Sequence, residues 1–225
     1  MDAPRALSAL FIATSIGCGG ATVEPPPGMD DRGLRDPSAL PYGRELVAFD
    51  PGEGSGFGSD KLPEIVLGPP KGRGTNAGST DVLSLGAGGT VVLGFSGAIV
   101  DKAGPDFVVF ENAFFASGEP TVPFAELGAV AVSTDAQSWH ELACDPAGAG
   151  PGRYPGCAGW NPVHLYDPFA AIPIAVETTG GDAFDLADFG VQSARYVRVR
   201  DLNGGGEAPT RGFDLDAIGV IHPGP

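Results

Sequence analysis

The stretch Arg195-Tyr196-Val197-Arg198-Val199-Arg200 decides the fold class, because apolar and charged residues interleave in it near the two-residue period of an extended chain. It reads as a half-buried strand whose arginines line a wet, basic face while Tyr196 and the two valines turn inward. That face either pairs with carboxylates on neighbouring strands or receives an acidic ligand. Similar short runs surround it. Glu45 to Phe49, Glu64 to Leu67, Val82 to Leu85, Thr90 to Phe95, Phe107 to Phe110, Leu127 to Ser133 and Trp139 to Ala143 precede it, and Leu215 to Ile221 follows. Their length, branching and spacing are those of strands. Gly86-Ala87-Gly88-Gly89 and Asp135-Ala136-Gln137-Ser138 each read as a hairpin connection. No window of helical period is long enough for a major helix, and the best candidate is the single turn around Phe184 to Asp188. Roughly nine short strands with few helices predict an all-β fold, a sandwich of two antiparallel sheets.

Composition agrees. Glycine (36) and proline (22) exceed a quarter of the 225 residues, and with no collagen period they read as tight turns between the apolar runs. A net charge of -15 repels phosphate, so neither nucleic acid nor an anionic membrane surface is an expected partner through charge. Cations or neutral ligands suit it better.

At the N-terminus, Arg5 precedes an apolar run, Ala6 to Ile16, that is too short to span a bilayer and ends in Ser15-Ile16-Gly17-Cys18-Gly19. A positive start, an apolar core and small residues before a cysteine resemble a bacterial lipoprotein signal, which implies a signal peptide over 1–17 and lipidation of Cys18. Asp2 and Ser15 depart from that pattern, and ordinary secretion is the alternative. The membrane would be met through this anchor only. The segment 18–42, with Glu24-Pro25-Pro26-Pro27-Gly28, has the composition of a tether, and 43–225 would form the folded domain. Setting Cys18 aside leaves the even pair Cys144 and Cys157 around a Pro/Gly-rich loop, which fits a disulfide in an oxidising compartment. The expected location is extracytoplasmic, in a bacterial envelope or at the cell surface.

Three segments, Val130-Ala131-Val132-Ser133-Thr134-Asp135-Ala136-Gln137-Ser138-Trp139, Ala194-Arg195-Tyr196-Val197-Arg198-Val199 and Phe213-Asp214-Leu215-Asp216-Ala217-Ile218, resemble in content and order the discoidin-like, galactose-binding-like β-sandwich superfamily. Gly104-Pro105-Asp106-Phe107-Val108-Val109-Phe110-Glu111-Asn112-Ala113, with Cys157-Ala158-Gly159 and Gly181-Asp182-Ala183-Phe184-Asp185-Leu186, is similar to a group of bacterial cell-surface proteins of uncharacterised function. The resemblance implies a jelly-roll sandwich, often with one structural calcium, that binds carbohydrate or another surface ligand through loops at one end. It implies no catalysis. It also makes Trp139 a core residue. Ala136 stands where the superfamily often has glycine, which leaves the turn type open.

Calcium takes six to eight oxygen ligands, commonly from loop carboxylates. Asp106, Glu111, Asp201, Asp214 and Asp216 are the candidate ligands, with Asn112, Asn203 and Glu207 beside them. Period-two spacing puts Asp214 and Asp216 on one face, where a cation would relieve their repulsion. The alternative is solvated carboxylates paired to Arg195, Arg198 or Arg200. For carbohydrate, the aromatic cluster near Cys157 is the candidate: Trp160, Asn161, His164 and Tyr166, in which Trp160 either stacks on ligand or packs over the disulfide.

Enzyme signatures are scarce. His140, His164 and His222 are the only histidines, Gly94-Phe95-Ser96-Gly97 lacks the pattern of a nucleophile elbow, and Gly72-Arg73-Gly74-Thr75-Asn76-Ala77 is followed by no helix. The sequence therefore reads as a non-catalytic surface module with a carbohydrate ligand and a structural calcium. A purely structural or adhesive envelope protein is the alternative, and a glycan-active hydrolase a more distant one.

Overall fold

The computed structural model describes residues 41–120, 123–148, 153–164, 174–202 and 204–225. The signal peptide, Cys18 and the tether up to residue 40 lie outside the described residues, as do Tyr166 and Asn203. Packing begins just before the expected boundary at residue 43: Tyr42 is buried and bridges Gly219, and the Val220 N–H donates to the Pro41 carbonyl at 2.6 Å.

The strands, in chain order, are β1 (Glu45–Asp50), β2 (Leu83–Ser84), β3 (Thr90–Val100), β4 (Phe107–Phe110), β5 (Phe114–Phe115), β6 (Pro123–Phe124) and β7 (Gly128–Ser133). They continue with β8 (His140–Glu141), β9 (Cys157–Ala158), β10 (Asp182–Phe184), β11 (Ser193–Asp201), β12 (Asp214–Leu215) and β13 (Ala217–Val220). The large sheet runs β1-β3-β11-β7-β8, with β9 also on β7; the second runs β10-β4-β13, and the pairs β12-β2 and β5-β6 complete the set. Every pairing is antiparallel. The only α-helix among the described residues is the four-residue Val176–Thr179.

One core joins the two layers. Val91, Leu93, Val130, Val132, Val197 and Val199 of the large sheet meet Phe107, Val109, Ile218 and Val220 of the small one. Phe107 stacks on Phe184, with centroids 5.3 Å apart. The other face of β4 is also covered, since Val108 and Phe110 pack with Tyr42, Val163 and Ile174. This is why Phe107 to Phe110 reads as an unbroken apolar run where most half-buried strands alternate.

The central strand β11 has Val197 and Val199 fully buried and Tyr196, Arg198 and Arg200 half-buried on the opposite face. The expected grouping of Tyr196 with the valines is thus corrected: strict alternation puts it beside Arg198 and Arg200. A register shift between Ala194 and Tyr196 turns Arg195 outward as well. The basic face pairs across strands, Arg198 and Arg200 donating to Glu141 at 3.3 and 2.9 Å.

Other expectations change with tertiary context. Glu64–Val66 is a 3-10 turn entered from Pro63, with Ile65 and Val66 buried, where a strand was expected; a run this short satisfies either shape. The Val82 to Leu85 run pairs with β12 and not with β3, so Gly86 to Gly89 is a corner between sheets and not a hairpin. Asp135 to Ser138 does join the paired β7 and β8. There Asp135 accepts from the N–H groups of Gln137 and Ser138, and Ala136 takes a left-handed φ of 59°. Trp139 lies half-buried outside the core, with the Arg198 guanidinium 4.7 Å above its ring, a contact open to it because β8 is an edge strand.

Cys144 and Cys157 form a disulfide across 13 residues and tie β9 to the segment after β8. Replacing both by serine is expected to lower the unfolding free energy by about 3 kcal/mol, the entropy of a loop of that length. Urea denaturation checks this, and an unchanged midpoint would show that the bond leaves the unfolded chain no more restricted.

Candidate functional site

The antiparallel registers bring several chain segments to one end of the sandwich. Asp182 opens β10 opposite Val109, Glu111 and Asn112 follow β4, Asp201 ends β11 opposite Gly128, and Glu126 leads into β7. Asp214 in β12 pairs with Ser84 at the same end. Glu111, Glu126, Asp182, Asp201 and Asp214 are all buried.

Two of these carboxylates are consumed by donors, most of them backbone N–H groups. Asp201 accepts from Phe213 N–H on Oδ1 at 2.9 Å and from Gly88 and Gly204 N–H on Oδ2 at 2.9 and 3.0 Å. It thereby pins the corner before β3 and both ends of the loop that leads to β12. Asp182 accepts from Gly159 and Trp160 N–H on Oδ2 at 2.7 and 3.1 Å and from Asn161 Nδ2 on Oδ1 at 2.9 Å, which pins the segment after β9. Gly159 adopts φ +93°, and a side-chain carbon there would stand 2.0 Å from the Glu126 carbonyl oxygen, so glycine lets that segment lie against the acidic cluster.

The other three are less satisfied. Asp214 has Ser84 Oγ on Oδ1 and only a long 3.4 Å contact from Asn112 Nδ2 on Oδ2. Glu111 Oε2 and Asn112 Oδ1 are buried with no hydrogen-bond partner. Glu126 Oε1 faces the glycines 205 and 206. Burial pushes the Glu111 carboxyl well above its ordinary range, and repulsion from Asp214, Glu126 and Asp182 adds to this against one opposing N–H, that of Asn112. Burial, then Asp214 and Asp201, hold Glu126 up to about 8. Burial raises Asp182 to about 7 in spite of its donors, and raises Asp214 as well.

Of the five expected ligands, this end gathers Glu111, Asp201 and Asp214. Asp106 lies at the other end of β4, about 17 Å away by strand rise. There it accepts from Lys102 N–H, Leu186 N–H and His222 Nδ1 at 3.0, 2.8 and 2.7 Å. Asp101 and Asp185 each bring an oxygen within 4.8 Å of it, but Asp101 already accepts from Gln192 Nε2 and Asp185 from Ala187 N–H, so the trio reads as a hydrogen-bonded brace. Asp216 accepts from Lys71 N–H on both oxygens, and burial raises it to about 8. Asp214 and Asp216 were expected on one face; they take different partners because β12 ends and β13 begins between them. Glu126 and Asp182 went unrecognised in the sequence reading, and the proximity of Asp182 to Glu111 follows only from the β10-β4 register.

Beside the cluster, Tyr154, Trp160, Asn161, Leu142, Phe184 and Asp188 line a cleft of about 330 Å³ with Asp182 at its floor. Trp160 is half-buried and meets Tyr154 edge-on, centroids 6.2 Å apart at 75°. His164 is exposed, does not line the cleft, and is held by its backbone N–H to Thr179. Trp160 and Asn161 are therefore brought together, and Tyr154 and Asp188 join them.

The five raised carboxyls, Glu111, Glu126, Asp182, Asp214 and Asp216, act on stability with one sign. Each binds its proton more tightly folded than unfolded, so the stability present below the unfolded range near pH 4 is lost as pH rises through the folded values. Asp135, lowered to about 2 by the N–H groups of its turn, acts only as pH falls below about 4. In chelator, the melting temperature is expected to be higher at about pH 5 than at about pH 8. The reverse order would show that ionising this cluster costs the fold nothing.

No family model matches the chain, and no curated protein matches it. Among solved structures it is similar to a truncated AlyQ with CBM32 and alginate lyase domains, at 13% identity and a TM-score of 0.34, over 82% of this chain and 34% of that one. The functional reading therefore rests on the chain's own geometry.

Proposed function

We propose that the chain is an exported, non-catalytic surface module that binds carbohydrate in the cleft lined by Tyr154, Trp160 and Asp188. The observation that carries the reading is a half-exposed indole whose backbone is fixed before any ligand arrives. Asp182 holds the N–H groups of Gly159 and Trp160, and the disulfide fixes Cys157 three residues earlier. An aromatic face covers the apolar side of a sugar ring, and fixing it in advance lowers the ordering cost of binding. Asn161 and Asp188 supply polar neighbours for hydroxyl groups. A net charge of -15 favours a neutral ligand over a phosphorylated or sulfated one.

Hydrolysis is disfavoured by the state of the carboxylates. A glycosidase needs two free to act across the cleft, whereas of the two that line this one, Asp182 and Asp188, Asp182 has both oxygens in hydrogen bonds with Gly159, Trp160 and Asn161. The disulfide supports an oxidising compartment. Anchorage through lipid on Cys18 belongs to the same proposal and rests on the signal-like sequence alone.

A glycan array with the wild-type chain, Trp160→Ala and Trp139→Ala tests the reading. The expected result is a bound glycan whose affinity falls at least about tenfold in Trp160→Ala, a loss of about 1.4 kcal/mol or more, and is kept in Trp139→Ala. No glycan bound by the wild type, or one held equally well without the Trp160 ring, would overturn it and favour a purely structural or adhesive role.

A further inference from the structure

The walls of the cleft carry one sign of charge. Asp182 and Asp188 line it, and among the described residues no lysine, arginine or histidine joins them there. The two aspartates differ in what they have left to offer. Asp182, at the floor, accepts on both oxygens from Gly159, Trp160 and Asn161. Asp188 is exposed, and its carboxylate has no hydrogen bond and no ion pair among the described residues. Its backbone is nevertheless fixed. Asp188 lies in the 3-10 turn Leu186–Phe189, whose Leu186 and Phe189 are buried in the core. Asp106 accepts from the Leu186 N–H at 2.8 Å, and the Asp185 side chain caps the Ala187 N–H at 2.9 Å. An unpaired carboxylate is thus held at the cleft by a turn that cannot easily withdraw it.

The aromatic pair attracts the same sign of charge. The faces of indole and phenol rings are negative and draw a cation within about 6 Å of their centre. Tyr154 and Trp160 stand at 75° to each other, a corner with ring surfaces of two orientations and not one flat platform. This chain already pairs an indole with a cation elsewhere, where the Arg198 guanidinium lies 4.7 Å over Trp139. Burial raises Asp182 to about 7, and a positive group in the cleft would offset that cost. The net charge of -15 draws cations toward the whole surface.

We propose that the cleft selects an amino sugar in its protonated form, with the sugar ring against Trp160 and the ammonium group on the Asp188 carboxylate. Asp182 adds negative field from the floor. The inference rests on the carbohydrate reading of the cleft and narrows it from sugars in general to cationic ones. A hydrogen bond between ammonium and carboxylate is about twice as strong as a neutral one. Acetylating the amine, or putting a hydroxyl in its place, removes that charge and leaves the rest of the ring as it was.

The test compares three ligands on one β-1,4-linked backbone: oligomers of glucosamine, of N-acetylglucosamine and of glucose. Calorimetry reads their binding to the wild-type chain, Trp160→Ala and Asp188→Asn. The wild type is expected to hold the glucosamine oligomer at least about tenfold more tightly than the other two. That advantage should shrink between about 0.05 and 0.5 M sodium chloride, as the charges are screened. Asp188→Asn should cancel it, and Trp160→Ala should weaken all three ligands. Choline chloride, a cation without a sugar ring, should compete only at much higher concentration. Equal affinity for the three oligomers, lost in Trp160→Ala, would overturn this inference and leave the carbohydrate reading standing. An amine preference kept in Asp188→Asn would overturn the role given to that side chain. Choline binding as tightly as the oligomer would overturn the carbohydrate reading together with the inference, because the cleft would then recognise charge alone. Failure of all three oligomers to bind the wild type would overturn the inference, while the glycan array decides the broader reading. The wild-type comparison carries the test by itself should a variant fail to fold.

Discussion

A carboxylate buried where loops meet must find backbone N–H groups, because there is little water to replace them and an unpaired charge is among the most destabilising features a fold can carry. Asp106, Asp182 and Asp201 each satisfy that condition, and through it they hold the connections of the sandwich in place. Asp201 gathers N–H groups from Gly88, Gly204 and Phe213, which belong to two separate connections. Asp106 gathers those of Lys102 and Leu186 and the His222 ring. In a chain with so much glycine, few side chains are available to fix the loops by packing, and these carboxylates do so by hydrogen bonding. Glycine also makes the arrangement possible, since it lets backbone reach the oxygens closely, as at Gly159.

The same condition separates structural carboxylates from those left for chemistry. Asp182 and Asp201 sit at the crowded end of the sandwich yet have every oxygen bonded, whereas Glu111 in the same cluster has an oxygen with no partner. Burial acts on Glu111, Glu126, Asp182 and Asp214 alike and repulsion adds to it at Glu111 and Glu126, but donors offset the cost unevenly. Position at the end of a strand is thus less informative about function than the bookkeeping of hydrogen bonds around each oxygen.

Much of the strand pattern is legible in the sequence because its period survives in the structure: Val197 and Val199 face the core and β7 pairs with β8 across the Asp135 turn. The disulfide follows from counting cysteines. What is not legible depends on which distant segments become neighbours. Asp106 and Glu111 flank one strand and look like a pair, yet the strand itself holds them apart. Asp214 and Asp216 are two residues apart and look like one face, yet a change of strand lies between them. Asp182 lies 71 positions from Glu111 and offers no local sign of their proximity, which the pairing of β10 with β4 creates. The Val82 to Leu85 run shows the same limit in the backbone: its partner, β12, is chosen by the closure of the sandwich and not by the glycines that follow it.

Asp182 is also where the cluster and the cleft meet. Its three donors, Gly159 N–H, Trp160 N–H and Asn161 Nδ2, all call for an acceptor, so the ionised form suits them and the protonated form places a hydroxyl where a donor already points. Burial works against that ionised form and raises Asp182 to about 7. The three donors and the desolvation of one carboxylate therefore oppose each other, and the backbone of Trp160 is held where the donors keep their acceptor.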